Sequence, residues 1–151
     1  MGMSTIRYRD RNFRTSDDAI AVWLALLVRE IDALPDAPGW MRKAREAWHV
    51  QATEGFGFGV VSELDRFAPD DQRRDTLVQL SQRALSHLQS WGPWLPKEAL
   101  NALHTGGAGV VFEIDVPAEI FVRTARWFIR LLSGTLSSDE QDALVPLDPE
   151  S

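Results

Sequence analysis

Glu63 with Asp65, and Glu113 with Asp115, are carboxylate pairs two residues apart. On an extended segment the second pair shares one face. Two acids so placed can hold a hard cation, or push one pKa upward for proton transfer. Each acid also has a simpler use: Asp115 precedes a helical pattern and suits an N-cap, and Glu63 and Asp65 suit a solvated turn. A ligand or catalytic pocket built here would take its walls from Phe56, Phe58 and the glycine loop Gly106–Gly109, with Glu113 and Asp115 as its polar groups.

Other residue types that carry chemistry are poorly arranged for it. His104-Thr-Gly-Gly-Ala-Gly109 is glycine-rich, but a helix enters it and a strand is expected to leave it. Phosphate loops run in the opposite order, and no Lys-Ser or Lys-Thr follows. His49, His87 and His104 form no i, i+4 pair, so ligand spacing for a metal is missing. There is no cysteine and no Gly-x-Ser-x-Gly elbow, which leaves no marked nucleophile. The expectation is therefore a chain with no catalytic set, no cofactor and no metal.

Two sets of residues suit recognition instead. Arg123, Arg126 and Arg130 recur at three- and four-residue spacing on a helical pattern, with Glu119 one turn ahead of the first. They read as a solvated face, or as a guanidinium stripe able to take carboxylates or phosphates bidentately. Six tryptophans are present; Trp23, Trp48 and Trp91 fall on apolar helical stripes, whereas Trp40 and Trp94 stand beside Gly and Pro in Pro38-Gly-Trp40 and Gly92-Pro-Trp94. A ring in such a place is harder to bury, and exposed tryptophan anchors interfaces. Trp40, Trp94, Arg123, Arg126 and Arg130 are the candidate partner-binding residues.

The elements that position them follow from periodicity and punctuation. Ile6 and Tyr8 alternate with arginines and predict a short edge strand. Thr15 with Asp18 marks the start of a helix from about Ser16 to Leu34, containing ten consecutive apolar residues, Ala19 to Val28. That run is too short for the roughly 17–25 residues of a membrane span and reads as a core helix. A second helix runs from about Pro38 to Thr53 with Trp40, Met41, Ala44 and Trp48 on its apolar side. The frame Gly55-Phe-Gly-Phe-Gly59 breaks it, as a joint that sets Phe56 and Phe58 in or beside the core. A short helix is expected within 60–67, and Asp70 and Asp71 open the next, which carries Leu77, Leu80, Ala84, Leu85, Leu88 and Trp91. Pro96 opens a short helix through Leu100 and Leu103, and Val110–Ile114 is the best strand candidate, expected to pair with Ile6–Tyr8 or with the Phe56–Val61 region. Asp115 is expected to cap a last long helix, 116–133, with Ile120, Phe121, Thr124, Phe128 and Leu131 inward and Gly134 as its stop. A final turn is expected from Ser137 or Ser138 to Val145.

These elements predict a mainly α, single-domain bundle over residues 1–151, with five to six helices and room for a two- or three-stranded β ribbon. At 44% apolar and 25% charged residues the composition is that of an ordinary globular domain. Residues 1–14 form a basic segment, with Arg7, Arg9, Arg11 and Arg14 against Asp10, and 146–151 an acidic tail. Net charge is −6, from 14 Arg and 2 Lys against 22 acids. An acidic body disfavours nucleic acid and favours a basic protein partner. No signal-peptide pattern opens the chain, which predicts a cytoplasmic protein with no membrane association. Together the features lead to a non-catalytic protein-binding domain, of the kind that small acidic bacterial inhibitors or toxin-neutralising immunity proteins provide. The alternative is the small-molecule or enzyme pocket near Phe56, Phe58, Glu113 and Asp115.

Overall fold

A computed structural model describes residues 2–55, 61–103 and 111–136. Strands β1 (Met3–Tyr8) and β2 (Arg11–Ser16) form an antiparallel hairpin in which Ile6 faces Phe13 and Tyr8 faces Arg11. The period of two sends Ser4, Ile6 and Tyr8, and Phe13 and Thr15 on the partner, into the protein. The expected pairing of Ile6–Tyr8 with Val110–Ile114 is thus replaced by a local partner. No Asn-Gly or Asp-Gly marks this turn. It is held from outside: Arg9, at φ 55°, donates its backbone N–H to Asp65 Oδ1 at 2.8 Å and its guanidinium to Asp71 Oδ1 at 2.9 Å.

Helix α1 (Asp17–Asp32) begins directly, with the Ser16 hydroxyl accepting from the Ala19 N–H at 3.2 Å. Ser16 and not Thr15 is the cap, because the Thr15 side chain is buried on the inward face of β2. Every residue from Ala19 to Val28 is buried. A helix apolar all round must be central, and α1 does touch α2 (Gly39–Glu54), α4 (Asp71–Ser90), α6 (Glu119–Ser133) and the hairpin. Helix α2 buries Met41, Ala44, Trp48 and Ala52, one stripe at three- and four-residue spacing, and ends at Gly55 with φ 92°. Between them lies the short α3 (Leu64–Phe67). Helix α4 is capped by Asp70, whose carboxylate accepts from the Arg73 N–H at 2.8 Å, and buries Leu77, Leu80, Ala84 and Leu88.

The core is tied together by edge-to-face aromatic pairs, Trp23 with Phe128, Trp48 with Phe67 and Phe13 with Trp127, at centroid distances of 5.7, 6.0 and 5.9 Å. Trp91 is half-buried and meets the edge of His87 at 5.4 Å. The expected mainly α bundle with a small β ribbon is what forms: six helices and two two-stranded antiparallel pairs among the described residues.

The second pair, β3 (Trp94–Leu95) with β4 (Val116–Pro117), brackets α5 (Lys97–Asn101). Here the expected strand Val110–Ile114 is not formed: residues 111–114 are irregular, and Val110 lies outside the described residues. The reason is local. The Asn101 side chain binds both backbone groups of Phe112, its Oδ1 accepting from the N–H at 2.7 Å and its Nδ2 donating to the carbonyl at 3.0 Å, so a side chain takes the place of a strand partner. Helix α6 starts at Glu119, three residues later than expected, and Gly134 ends it at φ 76°. Asp115 caps a different helix, α5, accepting the Lys97 N–H at 2.9 Å. Phe56, Phe58, the Gly106–Gly109 loop and everything after Leu136 lie outside the described residues. No described helix is long and apolar enough to cross a membrane.

Candidate functional site

Residues 93–101 and 111–118 form a clasp fastened to the bundle. Leu95 and Leu100 are fully buried and root it in the core. The β3–β4 ladder, the Ala118 N–H on the Pro93 carbonyl at 2.9 Å, the Asp115 cap and the two Asn101 bonds close it on itself. Because side chains alternate along a strand, fixing Leu95 inward turns Trp94 outward. Trp94 is 58% exposed, with Val111 at 63% and Ile114 at 71% on the other arm of the clasp. These are three of the five large apolar side chains that stand exposed among the described residues, the others being Met3 and Val50. Their rim is charged: Lys97, Glu98, Glu113, Asp115 and Glu119 are all exposed.

Of the paired carboxylates, Glu113 and Asp115 do not lie on a strand, and the walls of the pocket considered for them, Phe56, Phe58 and the Gly106–Gly109 loop, lie outside the described residues. Glu113 and Asp115 are exposed, and Asp115 is engaged as the α5 cap. Glu63 and Asp65 are likewise engaged. Glu63 accepts from Gln51 Nε2 at 3.3 Å and Arg66 at 3.1 Å, and Asp65 holds the hairpin turn. Beside them Ser62 and Glu63 both adopt left-handed backbone, φ 62° and 47°. Ser62 is held there by its N–H on Gln51 Oε1 at 2.8 Å and by Trp48 Nε1 donating to its carbonyl at 2.7 Å. An open cleft of about 630 Å³ lies over this turn, lined by Lys43, Val50, Gln51, Glu63 and Arg66 among others. Among the described residues no three His, Asp or Glu side chains converge as metal ligands.

The arginine stripe does not form. Arg123 is buried at 5% exposure, Arg126 is exposed, and Arg130 is half-buried, lying 5.9 Å from the Trp127 ring and donating to the Thr135 carbonyl at 3.3 Å. The hairpin is the cause. It covers the side of α6 on which Trp127 lies, as the Phe13–Trp127 contact and the Thr15–Thr124 hydroxyl pair at 2.7 Å show, and Arg123 sits one turn before Trp127. Trp40 is half-buried with the Arg73 guanidinium 5.2 Å from its ring centre. Of the five candidates only Trp94 and Arg126 stand open.

Two of the four arginines of the basic N-terminal segment, Arg9 and Arg11, are turned to internal use. Arg9 binds Asp71, and their mutual hydrogen bond lowers the Asp71 carboxyl pKa and raises that of the guanidinium; Arg74 adds to the lowering. Arg11 donates to the Gly134 carbonyl at 3.2 Å and to that of Leu136, closing the end of α6. Burial pushes the Tyr8 phenol upward, and its hydroxyl donates to the Ala68 carbonyl at 2.7 Å.

Val111 and Ile114 were not singled out as surface residues, since Val-Val-Phe-Glu-Ile reads as a strand. The available signal was Asn101, a side chain able to satisfy a neighbouring backbone. Compared with family models, with curated proteins and with solved structures, the chain matches none.

Proposed function

We propose that this chain is a non-catalytic protein-binding domain that docks through the Trp94 clasp, as a small acidic inhibitor or immunity-type protein neutralising its partner. One observation carries the reading: a 58% exposed tryptophan on a clasp tied to the core, with exposed Val111 and Ile114 on the same clasp. Isolated exposed apolar residues need no explanation, but several on one short substructure mark an interaction surface. A rigid tryptophan with a polar rim is how interface hot spots are built, since little ordering entropy is lost on binding. Of the paired carboxylates, Asp115 already serves the fold as a cap and Glu63 in an ion pair with Arg66.

The test is capture of a stoichiometric partner from the source proteome by the wild-type chain and by Trp94→Ala. The partner's affinity should fall by about 30-fold or more, the hot-spot range of 2 kcal/mol and above, with helical content and melting temperature unchanged. Equal affinity for both chains would remove Trp94 from the interface. Failure to recover any partner would count against the binding function itself.

A further inference from the structure

The clasp also carries information about the chemistry of what it binds. Between residues 93 and 119 the exposed charged side chains are one lysine, Lys97, and four carboxylates, Glu98, Glu113, Asp115 and Glu119; Arg29 of α1, donating to the Ala102 carbonyl at 3.4 Å, adds one further cation beside them and leaves the carboxylates in excess. The 104–110 segment adds no lysine, arginine or acid. The three exposed apolar groups therefore sit within a local acidic field, on a chain whose net charge is already −6. Such a field attracts cationic partners, speeds their encounter and opposes like-charged ones.

Resting on the docking reading above, we infer that the clasp takes a cationic segment of another protein: an aromatic or aliphatic anchor packs beside Trp94, flanked by Lys or Arg side chains that meet Glu98 and Glu113. The same charges disfavour a second copy of this chain. Two clasps face to face would bring Glu98 and Glu113 of one molecule against those of the other, and like charges juxtaposed at an interface are destabilising. The ligand set divides by role. Asp115 is engaged by the Lys97 N–H and holds the clasp, and Glu119 lies in the first turn of α6, where a carboxylate also steadies the helix end. Glu98 stands in the first turn of α5 in the same way; Glu113 has no such structural task among the hydrogen bonds and ion pairs of the described residues, which makes it the first choice for contact, with Glu98 on the other arm of the clasp as the second.

A randomised peptide display library panned against the full chain, with counter-selection on Trp94→Ala, reads this directly. Selected sequences should combine an apolar anchor with Lys or Arg neighbours. Their synthetic forms should bind the wild-type chain at least about tenfold more tightly than Trp94→Ala. Raising salt from about 0.05 M to about 0.5 M should weaken binding severalfold, because rim charges are screened. Glu98→Lys/Glu113→Lys should weaken it by a similar factor while leaving the circular-dichroism spectrum and melting temperature unchanged. Trp94-dependent sequences that are neutral or acidic would overturn the charge inference and leave the docking reading standing. No Trp94-dependent sequence at all would overturn both. Concentration-dependent dimerisation abolished by Trp94→Ala would make the occupant a second copy and refute the proposal.

Discussion

Replacing Trp48 by Phe probes the bond that holds the left-handed turn at Ser62 and Glu63. Ser62 and Glu63 are consecutive non-glycine residues in left-handed backbone, an arrangement that costs roughly 1–2 kcal/mol per residue. The turn persists because Trp48 Nε1 binds the Ser62 carbonyl and Gln51 binds the Ser62 N–H. Both Trp48 and Ser62 are fully buried, so water cannot readily replace the lost donor. Phe keeps a ring opposite Phe67 but orphans the carbonyl, which costs about 1–3 kcal/mol. The smaller ring buries about 40 Å² less apolar surface, worth about 1 kcal/mol at roughly 25 cal/mol per Å². The expected loss is therefore about 2–4 kcal/mol, a large part of the roughly 5–15 kcal/mol stability of a typical domain. At about 2–4 °C per kcal/mol the melting temperature should drop by roughly 5–15 °C. Urea unfolding followed by circular dichroism gives the free energy, and hydrogen exchange should show the Leu64–Phe67 amides opening first. A loss below about 0.5 kcal/mol with unchanged protection of those amides would mean that the indole bond does not hold the turn, and the reasoning would fail.

Two further outcomes follow from specific bonds. The Thr15–Thr124 hydroxyl pair is buried, so Thr15→Val should destabilise by about 1–2 kcal/mol by leaving Thr124 unpaired; Thr15→Val/Thr124→Val should recover part of that loss, and denaturant midpoints of the three chains decide it. Asp71 has its pKa lowered by its hydrogen bond from Arg9 and by the charge of Arg74. Its contribution is thus present above the ordinary aspartate pKa of about 3.9 and is lost as pH falls through the depressed folded value. Asp71→Asn should be less stable than wild type near neutrality, and the gap should close on acidification toward pH ~3; a gap that widens instead would reverse the assigned sign.

What the sequence made legible was periodicity and punctuation. Ten apolar residues from Ala19 to Val28 marked the central helix, Gly134 marked the end of α6, and Asp70 marked the start of α4, because each effect is decided within one or two turns of chain. What stayed hidden depended on partners far away. The β1–β2 turn has no glycine since Asp65 and Asp71 hold Arg9 from elsewhere. Arg123 read as exposed since nothing in α6 itself announces that the hairpin covers that side. The candidate site was half legible. Trp94 stood out beside Gly92 and Pro93, but Val111 and Ile114 read as part of a strand, because a side chain on α5 and not a strand satisfies the backbone between them.

Docking through the clasp is tested most directly by hydrogen exchange of this chain alone and in complex with its captured partner. Exchange should slow across 93–101 and 111–118, with the exposed side of α2 around Val50 unchanged. Protection confined to α2 and the cleft beside Glu63, with the clasp exchanging as in the free chain, would contradict it.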